Sequence, residues 1–321
     1  MPEISVSAIF TAIVPVVLTT ALGYLFRRKN WVDQNIQAGL MRLVIWAFTP
    51  ALVVDRVLGN PLLTDFSVVW KVAAAGFLSV SLGMLAALLC ARFFGISDAQ
   101  TRRAFGYCCG VYNYGYIALP ICMSLCPPET VGMMLLFNSS IEVAVWSVGV
   151  AVLSGKMSLP ELAKSVVNPI FFAMVFCLVC NFTGWADAVP AWVFGTAKSL
   201  GACMIPCGIL LVGMALPVLL NGFRLRDDPR VSVGALAMRL LLVPALMTAA
   251  ALFVPAIPQD LRFILLIQAG MPTAMLPVVV VQFYGGDARL ALRIVLTTSA
   301  ASLLTLPAWI KTGFWLLQKI R

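Results

Sequence analysis

Asn113-Tyr114-Gly115-Tyr116-Ile117-Ala118-Leu119-Pro120 and Gly270-Met271-Pro272-Thr273-Ala274-Met275-Leu276-Pro277 are two apolar stretches that each carry helix breakers and end in Leu-Pro. Gly weakens a helix through its backbone freedom, and Pro lacks a donor and crowds the carbonyl four residues back. In lipid every backbone polar group needs an internal partner, so a broken helix is tolerated only where protein buries it or where it lines a cavity. Two such breaks at corresponding places in two halves of a chain point to a binding site of the transporter kind.

The rest of the sequence puts these breaks in a membrane. Of 321 residues, 61% are hydrophobic and only 11% are charged, and the mean hydropathy is +0.98. A soluble core does not need that much apolar side chain. A hydrocarbon layer of roughly 30 Å takes roughly 20 apolar residues per helix. Spans are expected near 7–26, 36–54, 67–91, 104–126 and 130–153 in the first half, and near 167–184, 192–220, 232–254, 262–284 and 291–316 in the second. The fold class is therefore all-α and polytopic, with ten transmembrane helices. The longest polar connections, 155–168 and 221–230, are too short to be domains.

Charge gives an orientation. The first span follows Met1-Pro2-Glu3 rather than a basic segment and is followed by Arg27-Arg28-Lys29, which fits an anchored helix with its C-terminal end in the cytoplasm. Alternating from there puts Arg92, Arg102, Arg103, Lys156, Lys164, Arg224, Arg226, Arg230, Arg289 and Arg293 on the same side. Arg56, Lys71, Lys198, Arg262, Lys311, Lys319 and Arg321 fall on the other, and the basic C-terminal tail runs against the trend. The net charge of +9 thus reads as topology and implies no nucleic-acid partner.

Five spans per half is an odd number, so the second half enters the bilayer inverted. The halves divide as 1–155 and 156–321. Aligning Pro120 with Pro277 puts the two Leu-Pro pairs in register and Gly115 opposite Pro272, and Pro50 of span 2 falls opposite Pro206 of span 7. At about 1.5 Å per residue, Asn113 lies about 15 Å beyond Arg103 and Pro272 about 15 Å from Arg262, entering from the other face. Both breaks are expected at the midplane.

Unwinding there exposes the N–H groups and positive dipole end of each following half-helix, which favours an anion, while the carbonyls of the preceding half can accept from a cation. Asn113 and the Tyr112, Tyr114 and Tyr116 hydroxyls could orient a carboxylate. The plainer alternative is a kinked, packed helix in which Asn113 caps its own backbone. Glu142 lies twelve residues, about 18 Å, from Thr130, a depth at which an acid reads as a proton carrier or cation partner, or else as a neutral group bonded between helices. Asn138 stands one turn earlier on the same face and could share either role. Arg42 and Arg239 come early in spans 2 and 8, where snorkelling and a structural role are expected. Asp55 and Arg56 read as interface anchors.

Nine cysteines, including the pairs Cys122/Cys126, Cys177/Cys180 and Cys203/Cys207, fall in apolar spans, and there is no histidine, so a metal site is not expected. No Gly-x-Ser-x-Gly elbow or Walker loop is present. No cofactor and no enzymatic activity are expected, and transport would have to be secondary or depend on partners that this sequence does not encode.

The segment 113–120 together with Gln268-Ala269-Gly270-Met271-Pro272-Thr273-Ala274-Met275-Leu276-Pro277 resembles the auxin efflux carrier family. So do Ala12-Ile13-Val14-Pro15 leading to Gly23-Tyr24-Leu25, Phe48-Thr49-Pro50-Ala51-Leu52, and Asn168-Pro169. The likeness runs along nearly the whole chain, and the compact connection between halves looks like the bacterial branch, which includes malonate- and malate-type permeases. The resemblance implies two inverted five-helix repeats whose spans 4 and 9 cross at broken prolines. It further implies a scaffold of spans 1, 2, 6 and 7, a moving domain of spans 3–5 and 8–10, and an elevator-type cycle carrying small organic anions. Carried over by motif, Asn113, Pro120 and Pro277 become crossover and substrate residues. Tyr112 and Tyr114 stand where the family often has a smaller residue, and Glu142 where it often has an amide.

The expectation is a secondary carrier of a small organic anion in a bacterial inner membrane. Its site would comprise Asn113, Tyr114, Gly115, Tyr116, Pro120, Pro272, Thr273 and Pro277, with Glu142 and Asn138 as candidates for coupling to a proton or cation. A membrane sensor that kept the fold without net transport is the alternative. The lipid bilayer is the surrounding partner, and a homodimer stays open.

Overall fold

The computed structural model describes residues 6–155, 169–220 and 228–320. The expected positions Met1–Glu3, Lys156, Lys164, Asn168, Arg224, Arg226 and Arg321 lie outside the described residues. The described chain is all-α, with a single antiparallel β-bridge and no strand among the described residues.

The helices are α1 Val6–Arg28, α2 Gln34–Val57, α3 Phe66–Phe94, α4 Ala99–Gly110, α5 Ala118–Leu125, α6 Pro128–Ser154, α7 Pro169–Thr183, α8 Ala191–Val218, α9 Pro229–Phe253, α10 Gln259–Ala269, α11 Leu276–Phe283 and α12 Ala288–Lys319. Among the described residues, α2, α3, α6, α8, α9 and α12 are long and apolar enough to cross a membrane. The first break separates α4 from α5, and the second separates α10 from α11. Pro120 sits in the first turn of α5 and Pro277 in that of α11, where a missing N–H costs no helical bond.

Capping explains where several helices begin. The Asp98 side chain accepts from the Thr101 N–H at 2.8 Å, so α4 starts at Ala99, five residues before the expected 104. That backbone bond, with the Thr101 hydroxyl, holds the Asp98 carboxyl below its usual range. Asp33, Asp65, Asp228 and Asp287 cap α2, α3, α9 and α12 in the same way. At the opposite end of α9, Arg262 donates to the carbonyls of Ala251, Leu252 and Val254, satisfying acceptors that a helix terminus leaves open.

Small residues set the helix contacts. Gly23 of α1 and Gly213 of α8 face each other so closely that a Cβ on either would overlap backbone of the other helix. Gly201 of α8 lies against the backbone of Ala51 and Leu52 in α2, beside Pro50. Gly76 of α3 brings that helix onto the Phe137 carbonyl of α6. Without a hydrophobic force between helices in lipid, this close backbone approach supplies the packing. The outward faces carry the apolar excess: Trp46, Trp70, Phe93, Phe283 and Leu304 are exposed.

Three helices contain a π-helical turn, at Val44–Phe48 in α2, Val145–Gly149 in α6 and Met238–Leu242 in α9. Such turns insert a residue and re-aim the side chains around them. Two of the three fall beside the breaks.

Candidate functional site: two broken helices joined by backbone

The two breaks meet. The Asn113 N–H donates to the Pro272 carbonyl at 2.8 Å and the Ala274 N–H to the Val111 carbonyl at 3.0 Å, which makes Tyr112 and Thr273 an antiparallel bridged pair. Backbone groups that Gly and Pro release from their own helices are thus satisfied across the chain's two halves.

Side chains tighten the junction. Asn138 on α6 donates its amide to the Tyr114 carbonyl at 3.0 Å, and Gln268, in the last turn of α10, donates to the Asn138 carboxamide oxygen at 3.0 Å and to the same Tyr114 carbonyl at 3.3 Å. The Thr273 N–H donates to the Thr298 hydroxyl of α12 at 3.2 Å. The Tyr112 hydroxyl shares a 2.8 Å hydrogen bond with Ser79 of α3.

The two breaks differ in exposure. Pro272, Thr273 and Pro277 are buried, whereas Asn113, Tyr114, Gly115, Tyr116 and Pro120 are half-buried. A methyl placed on Gly115 would meet nothing within 4 Å, so open space lies in front of it. On another side the Tyr116 ring sits against Gly208 of α8 so closely that a Cβ there would overlap it. The Asn113 carboxamide oxygen accepts from the Tyr116 N–H at 3.2 Å, so Asn113 caps its own turn, while its NH2 has no protein partner among the described residues.

Glu142 belongs to the same surface. Its carboxylate accepts from the Tyr114 hydroxyl on one oxygen and from the Trp146 indole N–H at 3.1 Å on the other. Tyr114 and Tyr112 pack edge to face with ring centroids 6.3 Å apart. The far side of Tyr112 is occupied by Arg239, whose guanidinium carbon lies 4.5 Å from the ring centroid.

Arg239 corrects the sequence reading. It was expected to snorkel to the cytoplasmic face, but its side chain is fully buried and turns inward beneath the second break. It lies ten residues from Pro229, about 15 Å along the helix, and the π turn at Met238–Leu242 aims it into the bundle. Its guanidinium donates to the carbonyls of Met271 at 2.8 Å, Ala269 at 3.0 Å and Gln268 at 3.3 Å. Gln268 is a second residue of the junction to which the sequence pattern assigns no role. The signal for both was available: the depth count applied to Asn113 places Arg239 equally deep, and Gln268 is the last polar residue before the second break.

The arrangement presents a half-buried face with an amide, two phenol-bearing side chains and a carboxylate, backed by a fixed guanidinium one aromatic ring away. Half-helices α5 and α11 begin at the junction and direct their positive ends toward it. A face of that kind can hold a small anion and exchange a proton.

An uncharacterized transporter of Methanothermobacter thermautotrophicus (strain Delta H) is 22% identical to the chain over 300 residues, covering 92% of this chain and 96% of that protein. The family model described as "Membrane transport protein" matches twice, at residues 8–160 and 153–310, one match per half. The chain is therefore a multi-pass membrane protein belonging to the membrane transport protein family, that of the auxin efflux carriers.

Proposed function

We propose that this protein is a secondary carrier of a small organic anion, with its binding site on the open side of the junction between the two breaks. The observation that carries the reading is the pairing of Asn113 with Pro272 and of Ala274 with Val111, beside open space at Gly115. A kink that merely packs would have no reason to bridge two halves of a chain and leave a polar, half-open face.

Counting α1, α2, α3, the α4/α5 pair, α6, α7, α8, α9, the α10/α11 pair and α12 as passes gives ten, five in 1–155 and five in 156–321. The helix contacts support a two-fold repeat, because exchanging the halves maps one set onto the other, and five passes per half would make that repeat inverted. The α1–α8 contact becomes α7–α2, α3–α4 becomes α9–α10, α3–α6 becomes α9–α12, and α4–α12 becomes α10–α6. In this reading α1, α2, α7 and α8 are the scaffold, and α3–α6 with α9–α12 move as a unit in an elevator-type cycle. The membrane would be a bacterial inner membrane.

The binding set is Asn113, Tyr114, Gly115 and Tyr116 on the open side, with Pro120, Pro272, Thr273 and Pro277 shaping the backbone. Glu142, steadied by Tyr114, is the coupling group, and Asn138 positions the Tyr114 backbone. Purified protein in vesicles, supplied with labelled mono- and dicarboxylates under imposed pH gradients of either sign, should show saturable flux of at least one. Asn113→Ala should raise the half-saturating concentration about tenfold, the loss expected for one hydrogen bond to a charged group, while the loss of its cap on the Tyr116 N–H lowers the melting temperature by only a few degrees and leaves the protein folded. Binding of labelled carboxylates without flux under either gradient would overturn the carrier reading.

A further inference from the structure

Carbonyl groups at an unwound helix in a membrane are the usual seat of an inorganic cation. Here three of them, from Gln268, Ala269 and Met271, converge on the guanidinium of Arg239. Among the described residues no carboxylate pairs with that guanidinium. The ring of Tyr112 lies against it, and its own Nη1 nitrogen has no acceptor.

A guanidinium with an unused donor is a poor hydrogen-bond match for three carbonyls but a good charge match. A buried positive charge without an acid partner is costly, and it persists only where dipoles and a ring face stabilise it. The C-terminal end of α10 supplies the dipole, its last two carbonyls and that of Met271 beyond it supply the acceptors, and Tyr112 supplies the ring. Two more oxygens of the same break, Gln268 Oε1 and Thr273 Oγ1, are buried without a hydrogen-bond partner. The break is thus oxygen-rich around a single organic cation. The π turn at Met238–Leu242 delivers that cation, and Pro244 and Trp309 hold the turn in place.

We infer that Arg239 is a tethered cation that permanently fills the cation seat of the second break. The junction is then always positively charged, needs no sodium ion to be loaded before an anion binds, and leaves Glu142 as the titratable partner. The inference goes beyond the carrier reading and does not depend on it, because the seat can be tested without transport.

The test is thermal unfolding of purified protein in sodium, potassium and choline chloride at equal ionic strength. The wild-type protein and Arg239→Lys, which keeps a tethered ammonium, should melt at the same temperature in all three. Arg239→Ala should melt lower than wild type in choline and regain about 3 °C or more in sodium, saturably, as expected when an ion binds only the folded state. If Arg239→Ala gives no folded protein in choline or potassium, Arg239→Gln, which still donates to the carbonyls but carries no charge, is read in its place.

Sodium-selective stabilisation of either variant supports the tethered cation. Equal melting in all three salts of folded Arg239→Ala, or of Arg239→Gln where it stands in, a sodium-dependent wild type, or failure of both of these variants to fold even in sodium would overturn it. A sodium-stabilised variant that also shows no flux of any carboxylate, alongside an inactive wild type, would overturn the carrier reading and leave the seat standing.

Discussion

The Trp309 indole N–H donates to the Leu240 carbonyl at 2.8 Å, the carbonyl that Pro244, four residues later, leaves without its helical donor. An aromatic side chain of α12 thus repairs the backbone of α9 one residue from Arg239, and the repair fixes the turn that points the guanidinium inward.

Trp309→Phe keeps most of the ring and removes the donor. Leaving a buried carbonyl without its partner should cost about 1 to 3 kcal/mol, read as a lower melting temperature in detergent. Trp315→Phe is the control: Trp315 is about half exposed and meets Lys319 at its ring, so its loss should be close to neutral.

Enlarging Gly115 separates fold from function. Because open space lies in front of it, Gly115→Ala and Gly115→Val should melt like wild type. Flux in vesicles should fall progressively from Gly to Ala to Val as the added methyl groups take volume from the pocket. A Gly115→Val protein with undiminished flux would move the site away from the first break.

Glu142→Gln exchanges a carboxylate that accepts from both Tyr114 and Trp146 for an amide with one accepting atom. One of the two donors loses its partner, and the group no longer titrates. Carboxylate flux should become insensitive to an imposed pH gradient while substrate binding persists. An unaltered pH dependence would exclude Glu142 as the proton carrier.

Gly213→Ala tests the α1–α8 contact. The added methyl would meet the Tyr24 N at 2.9 Å and the Gly23 Cα at 3.0 Å, both backbone, and overlap the Thr20 carbonyl. A helix cannot yield locally as a side chain can, so the substitution should cost about 1 to 3 kcal/mol. Gly195→Ala, with nothing within 4 Å of its Cβ, should be neutral or slightly stabilising.

The breaks were legible because Gly and Pro announce themselves in an apolar run, and Asn113 because an amide between them has no place in lipid. Their meeting could be argued only as equal depth; that Pro272 is the acceptor for Asn113 depends on a backbone path no residue type specifies. Glu142 stood out by charge, yet its donors did not, since Tyr114 lies 28 residues away and Trp146 reads as another apolar position. Arg239 was misread for a physical reason. A long cationic side chain near a helix start is expected to reach for water, and a π turn that redirects it leaves no mark in hydrophobic periodicity. Asp98 shows the same limit in small: its capping bond sets the start of α4, but the apolar pattern begins only later.

The junction between Val111–Asn113 and Pro272–Ala274 is stitched from main-chain atoms, and main-chain atoms are common to every amino acid. Side chains on the open face can therefore be exchanged without unfastening it, and among substitutions at the two donors, proline at 113 or 274 would be the change that cuts a stitch outright. A lineage built on this seam is free to vary the chemistry it presents at Asn113, Tyr114 and Tyr116 while inheriting the mechanical joint unchanged, which separates the evolution of cargo from the evolution of the machine.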